Sequence, residues 1–408
     1  MKSLAIVASH PVQYQAPWYR ALATMTDLRV FFAHQVGPEE QGQAGFGVAF
    51  DWNVPLLDGY QFEWLDNVAS RPGIDRFFGC DTPGVAKRIS RGGFDAVVVN
   101  GWNLRSYWQA VVAARRAGVP VMVRGDSQLV TERSSPRRLL KRLTYPRLLR
   151  SFDAFLTVGR RSEAYYRHYG VADGRMFRSP HCVDNDFFAT AARIARTGDG
   201  AIRRAAGIAD HEIVFALVGK LIAKKRPLDY LAALAEVRRT HPAVRGLIVG
   251  DGPMRSEIEA FQRQHDTGSI LIGFLNQREI AAAYVAADML VLPSDGGETW
   301  GLVVNEAMAC GTPAIVSDAA GCGPDLIDEG RTGFSYAYGD VAALARRMAR
   351  FASGTRAERA ELSRAALDRI AHYSPHAAAA GVVDAMTALN SGRADRRSPN
   401  SNHVDAVS

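Results

Sequence analysis

Two glutamates, Glu298 and Glu306, stand with seven residues between them in the stretch DMLVLPSDGGETWGLVVNEAMACGTPAIVSDAAGCGPDLIDEGRTG, and two lysines, Lys220 and Lys225, stand close together in VGKLIAKKRP. An ionised carboxylate accepts hydrogen bonds and donates none, so a pair of them suits sugar or ribose hydroxyls. Two ammonium groups suit a diphosphate, whose departure they can neutralise without a metal ion. Each residue also has a structural reading. Glu298 can satisfy a helix N-terminus, Glu306 can belong to a solvated helix face, and the lysines can be an exposed charge run, the role expected of Lys224 and Arg226.

The surrounding pattern favours the chemical reading. From Asp288 to Gly333 the chain reads strand, Gly-containing loop, helix, Gly311 stop, strand, Gly-rich loop, with Thr299 as the expected N-cap and Gly301 to Ala309 as the helix body. Unpaired N–H groups and the dipole make such a helix start an anion site. Lys220 and Lys225 follow another predicted strand, Ile213 to Val218, at its carboxyl end. Further strands are expected at Leu247 to Val249, Ile270 to Gly273, Met289 to Pro293 and Ala314 to Ser317.

The first half carries the same rhythm, with buried strands expected at Leu4 to Ser9, Leu28 to Ala33, Ala96 to Asn100, Val119 to Arg124 and Ala154 to Val158. Strands alternating with helical patterns indicate parallel sheets, hence an α/β chain of two Rossmann-like doubly wound domains facing a central cleft. The expected boundaries are 1–190 and 191–373. A helix over 374–391 returns to the first domain, and a polar, disordered tail covers 392–408.

The 408 residues, 47% hydrophobic and 22% charged, exclude collagen-like, coiled-coil and wholly disordered chains. Four cysteines, Cys80, Cys182, Cys310 and Cys322, contain no C-x-x-C pair, so neither a zinc site nor a disulfide framework is expected. The apolar run Leu4 to Ala8 is too short for a signal-peptide core, and no stretch approaches the ~18 apolar residues of a spanning helix. A cytoplasmic protein associated with the inner face of the membrane is expected. The formal charge of +7 suits polyanionic partners.

Together, GETWGLVVNEAMACGTPAIVSD, the E-x7-E pattern of Glu298 and Glu306, and the basic pair Lys220 and Lys225 resemble the retaining nucleotide-sugar glycosyltransferases of family four, which have the GT-B fold. This resemblance implies transfer of a sugar from a nucleoside diphosphate to an acceptor hydroxyl with retention of configuration. It implies that Lys220 and Lys225 bind the donor diphosphate, that Glu298 holds the donor sugar, and that Glu306 holds the ribose. Gly219 and the N–H groups of Trp300, Gly301 and Leu302 would face sugar or phosphate, and the main chain around Phe274 and Leu275 would face the base. No cofactor and no metal are implied. Lys220 stands where the family usually has Arg, which keeps charge and forgoes bidentate contact. A nicotinamide oxidoreductase is disfavoured because the G-x-G-x-x-G fingerprint is absent.

In the first half, His10 and Gln13 lie on the loop after the first strand, aimed at the cleft. His10-Pro11 replaces the family's usual Gly pair and resembles a subgroup found in surface-polysaccharide synthesis. Asn100, Arg124 and Asp126 follow later strands as candidate acceptor contacts, and Arg124 and Asp126 have the alternative of pairing with each other. PHCVDNDFF resembles the family's turn into the second domain, with Asp184 as a cap. Between Arg133 and Arg150 there are seven basic residues and no acid, interleaved with leucines. Arg137, Arg138, Lys141 and Arg142 are candidate contacts to an anionic membrane surface, and the alternative is a solvated helix packed on the sheet by its leucines. A glycan or lipid-linked acceptor is expected. No helix-turn-helix, zinc-finger or aromatic RNA-binding signature accompanies the charge, so nucleic acid is not expected. The rival function is a non-catalytic nucleotide-sugar or polyanion-binding component of a polysaccharide assembly complex.

Overall fold

A computed structural model describes residues 1–131, 135–198 and 200–397. Among them, strands β1 (Ser3–Ala8), β2 (Asp27–Phe32), β3 (Gln61–Trp64), β4 (Ala96–Val99), β5 (Val121–Gly125), β6 (Ala154–Thr157) and β7 (Met176–Arg178) form one parallel sheet in the order β3-β2-β1-β4-β5-β6-β7. A second parallel sheet, β10-β9-β8-β11-β12-β13, joins β8 (Ile213–Val218), β9 (Val244–Val249), β10 (Ser269–Gly273), β11 (Met289–Leu292), β12 (Ala314–Ser317) and β13 (Gly333–Tyr336). Central strands such as AVVV in β4 and AIVS in β12 are buried at every residue, as parallel strands covered by helices on both faces must be.

Strand order reverses between β1 and β4 in the first sheet and between β8 and β11 in the second. At such switch points the outgoing loops diverge and leave a crevice beyond the carboxyl ends of the strands. The loops after β8 and β11 carry Lys220, Lys225 and Glu298, so both halves of the charged set flank one crevice.

Two glycines shape these loops. Gly301 adopts φ 109° immediately before the helix Leu302–Ala309, and a Cβ there would meet Leu292 Cδ2 at 2.5 Å. Gly250, at φ 140°, brings the loop after β9 so close that a Cβ would lie 1.9 Å from the Gly219 carbonyl oxygen. Gly301, not Thr299, is therefore the residue that starts the helix. The Thr299 hydroxyl is engaged elsewhere.

The last helix, Pro375–Arg397, lies on the first domain: Ala378, Ala379, Val382, Ala385 and Met386 share a core with Leu4, Ile6, Trp18 and Val98. Its helical backbone passes residue 392, where loss of structure was expected. Gly392 is a poor helix former, but Arg393, Ala394, Arg396 and Arg397 after it are good ones, and no proline follows until Pro399. The rest of that expected tail, 398–408, lies outside the described residues. Asp184 caps the helix Asn185–Thr197 through the Phe187 N–H and pairs with Arg20 at 3.2 Å.

Candidate functional site

A cleft of about 1290 Å³ separates the carboxyl edges of the two sheets, lined from the second domain by Gly219, Lys220, Lys225, Leu275, Glu298 and Glu306 and by the segment Trp300–Leu302. His10, Gln13 and Asp126 line it from the first domain. The four side chains of the motif thus face one cavity.

Lys225 Nζ lies 2.5 Å from Glu298 Oε2, with both side chains largely enclosed. Burial pushes the Glu298 carboxyl up, but Lys225, Lys224 and the hydrogen bonds from Lys225 and Ser294 more than offset it, so Glu298 is held below its ordinary value and stays ionised. Lys224, expected to be a bystander in an exposed run, also lines the cleft, with Nζ 3.8 Å from Glu298 and 3.4 Å from the Gly297 carbonyl. Lys220 is lowered by burial and by the neighbouring Lys224 and Lys225. Three ammonium groups against one ionised carboxylate leave a cationic wall suited to a diphosphate. Arg226 turns away, forming a two-pronged pair with Asp229 at 2.8 and 2.9 Å.

Glu306 is not on a solvated face. It is 7% exposed, and its Oε2 accepts from Tyr284 Oη at 2.6 Å. Burial raises it to about 7, against the pull of hydrogen bonds from Tyr284 and Gln277. A carboxylate so placed accepts strongly from a hydroxyl that enters the cleft. Trp300 lines the cleft; its indole N–H donates to Asn305 Oδ1 at 2.8 Å, and Asn305 Nδ2 donates to the His181 carbonyl at 3.1 Å.

The candidate acceptor residues divide. His10, held by Ser9 Oγ at 2.9 Å and lowered to about 4 chiefly by burial, opens on the cleft as a neutral imidazole. Gln13 presents a buried Oε1 with no hydrogen-bond partner among the described residues. Asn100 and Arg124 sit instead in an adjoining recess of about 320 Å³ that shares Asp126 and His181 with the cleft. Asn100 donates to Gln15 and Tyr19. Arg124 is buried over the Trp18 ring at 4.5 Å and donates to the carbonyls of Ser179 and Pro180. It forms no ion pair with Asp126, because those two carbonyls and the indole absorb its guanidinium. Asp126 reaches across the cleft to accept from Thr299 Oγ1 at 2.6 Å.

Two parts of the site had no signal in the sequence reading. His181, in PHCVDNDFF, lines both cavities; its Nδ1 has no partner among the described residues, and its Nε2 is 4.0 Å from Asp126 Oδ2. Burial, with Arg124 adding to it, lowers His181 to about 3. The long connection between β2 and β3 reaches the second domain: Phe50 packs on Phe274 with ring centroids 4.6 Å apart, and Asn53 bonds Glu279 at 2.9 Å.

Arg137's side chain lies outside the described residues. Arg138 and Arg142 are exposed, whereas Lys141 folds inward over the Tyr145 ring at 4.7 Å. Among the described residues no cluster of His, Cys, Asp or Glu is grouped to hold a metal ion, and all four cysteines are free and buried.

Comparison with known proteins adds the family. Residues 11–180 match the family described as Glycosyl transferase 4-like domain, and residues 199–369 match Glycosyl transferases group 1. Glycogen synthase of Mycobacterium tuberculosis is 40% identical over 130 residues, 31% of each chain, so the match spans less than a third of that relative. D-inositol 3-phosphate glycosyltransferase of Streptomyces avermitilis is 27% identical over 310 residues, covering 72% of this chain and 65% of the relative. The crystal structure of Anabaena Alr3699/HepE in complex with UDP superposes with a TM-score of 0.70 at 17% identity, over 95% of this chain and 100% of that one. With both domains matched in order and the same two-sheet architecture, the chain belongs to the group 1 glycosyltransferases of family four, built on the GT-B fold.

Proposed function

We propose that the protein transfers a sugar from a nucleoside diphosphate to a hydroxyl of a glycan or lipid-linked acceptor, with retention of configuration and without a metal ion, in polysaccharide or glycolipid synthesis. The observation that carries this reading is the convergence of Lys220, Lys225, Glu298 and Glu306 on one cleft. HepE, a fold relative, has been crystallised with UDP and with UDP-glucose, which supports the donor class.

Lys220 and Lys225 would meet the diphosphate, drawing Lys225 from Glu298 toward the phosphate and freeing that carboxylate for a sugar hydroxyl. The C1–O bond to the phosphate breaks as the bond from C1 to the acceptor oxygen forms on the same face, and the acceptor proton passes to the departing phosphate oxygen. The ammonium groups stabilise the charge that develops there, in a site from which the closed domains exclude water. Glu306 would hold the ribose. The bond from Thr299 to Asp126, and those from Gln128 Nε2 to the carbonyls of Gly296 and Glu298 at 2.9 and 3.2 Å, tie the donor loop to the first domain and favour closure.

The test is a panel of nucleoside diphosphate sugars with synthetic glycan and lipid-linked acceptors, products read by mass spectrometry and their anomeric configuration by NMR. A product with the donor's own anomeric configuration is expected without added metal. An inverted product, or strict dependence on a divalent ion, would refute the corresponding part.

A further inference from the structure

Away from the cleft, the crossover from β5 to β6 passes through the helix Ser135–Leu148, which presents an unusual outer face. Leu139, Leu140 and Leu143 are 60%, 61% and 58% exposed. With Leu129 and Val130 in the segment leading to the helix, they make five of the fourteen exposed large apolar side chains among the described residues, so exposed apolar surface is concentrated here. The helix is anchored from its opposite side: Tyr145 and Leu148 pack on the first-domain core, and Lys141 Nζ reaches Tyr165 Oη at 3.3 Å. The leucines therefore do not dock the helix on its sheet, contrary to the structural alternative for this segment.

At about 100° per residue the three leucines occupy a single sector about 100° wide, with Arg142 on its flank and Arg147 a turn further on, both exposed. No acid occurs from Arg133 to Arg150. We infer that this helix is a docking element that lays its leucines into the headgroup boundary of an anionic lipid surface while the arginines meet the lipid phosphates. Charge decides the occupant. A second copy would bring the same arginines against these and be repelled, whereas an anionic leaflet complements both the cationic and the apolar parts. Among the described residues no helix is long and apolar enough to cross a membrane, so attachment of this kind is peripheral. A crossover helix starts at the carboxyl edge of its sheet, which places Leu139 and Leu140, in its first half, toward the edge that carries the cleft. The inference rests on this surface alone and stands independently of the proposed reaction.

Flotation of the full chain with vesicles of phosphatidylcholine, with and without about one third phosphatidylglycerol, tests it. The parent should bind the anionic vesicles only, and less as salt rises. Leu139→Ser/Leu140→Ser/Leu143→Ser should abolish binding, and Arg138→Gln/Arg142→Gln/Arg147→Gln should weaken partitioning by on the order of 10²-fold. Both variants should keep the parent's far-UV circular dichroism and melting temperature, since the exchanged side chains point outward. A parent that fails to float, or a serine variant that floats equally well, overturns the inference. So does a leucine-dependent dimer in sedimentation velocity without vesicle binding, which would make a second copy the occupant.

Discussion

Lys225 Nζ and Glu298 Oε2 are 2.5 Å apart in the cleft, so the two residues proposed to meet the diphosphate and the sugar neutralise each other. The pair keeps a buried carboxylate ionised, and under the proposed reaction it would hold the ammonium beside the place where leaving-group charge develops. On that reaction, donor binding would exchange one anion partner of Lys225 for another, without bringing a bare charge out of water.

Removing one member separates catalysis from folding. Lys225→Ala should lower kcat by about 10²- to 10³-fold, the usual effect of losing one charge contact to the transition state. It should also destabilise the fold, by up to about 3 kcal/mol, because Glu298 is left enclosed with only the more distant Lys224 at 3.8 Å to compensate it. Lys225→Met/Glu298→Gln should recover the stability and not the rate, measured by urea denaturation and initial-rate kinetics.

Glu306 should make donor affinity pH-dependent. Raised to about 7 by burial, it is half protonated near neutrality, and a ribose hydroxyl prefers the ionised form. Donor Kd should therefore increase as pH falls below about 7, by up to tenfold per unit, and calorimetric titration of Glu306→Gln should give a flat profile. The same shift has a stability sign. The folded chain keeps this proton to higher pH than the unfolded chain, so the stabilisation present below about 4.5 is lost as pH rises to about 7, on the order of 3 kcal/mol in all.

Two buried imidazoles act with the opposite sign. His10 and His181 are lowered to about 4 and about 3, chiefly by burial, so between those values and about 6.5 the unfolded chain binds protons that the folded chain refuses. Their contribution is complete above about 6.5 and is lost as pH falls. Denaturation of parent and His181→Asn at pH 5 and 7 should show a smaller loss on acidification in the variant. Equal losses would show that His181 is protonated in the fold.

Phe50 tests the reach of the β2–β3 connection. Its ring covers Phe274 at 4.6 Å, beside the main chain expected to face the base. Phe50→Ala should raise donor KM several-fold, in keeping with an aromatic contact of about 0.5–1.5 kcal/mol, and leave kcat within about twofold. A change confined to kcat would place this segment in the chemistry.

Much of this architecture could be read from the chain. Runs such as Ile213 to Val218 and Ala314 to Ser317 are apolar because both sheet faces are covered, and the structure begins and ends both strands at those residues. The strands without a signal are β3, β7 and β13, all at sheet edges: QFEW and MFR are short and have no fully buried residue, and GFSY opens on a glycine and alternates with a serine in place of an apolar run. Glu298, Glu306, Lys220 and Lys225 were legible because their spacing, in strand-end loops and the helix that follows one of them, is local. The roles of Arg124, Asp126 and His181 were not, because each depends on a partner from a distant segment. Pro180's carbonyl reaches Arg124 from the far end of the first domain, and the Thr299 hydroxyl and the Trp300 ring, whose centroid is 5.4 Å from that of His181, are set by how the two domains face each other.

The most direct test of the central claim is release of nucleoside diphosphate from a panel of sugar nucleotides by the parent and by Lys225→Ala/Glu306→Ala, followed with a coupled assay. At least one donor should be turned over by the parent and by the double variant at less than about one hundredth of that rate. Parent and variant releasing diphosphate equally, or binding of donors by the parent with no release in the presence of any acceptor, would contradict it.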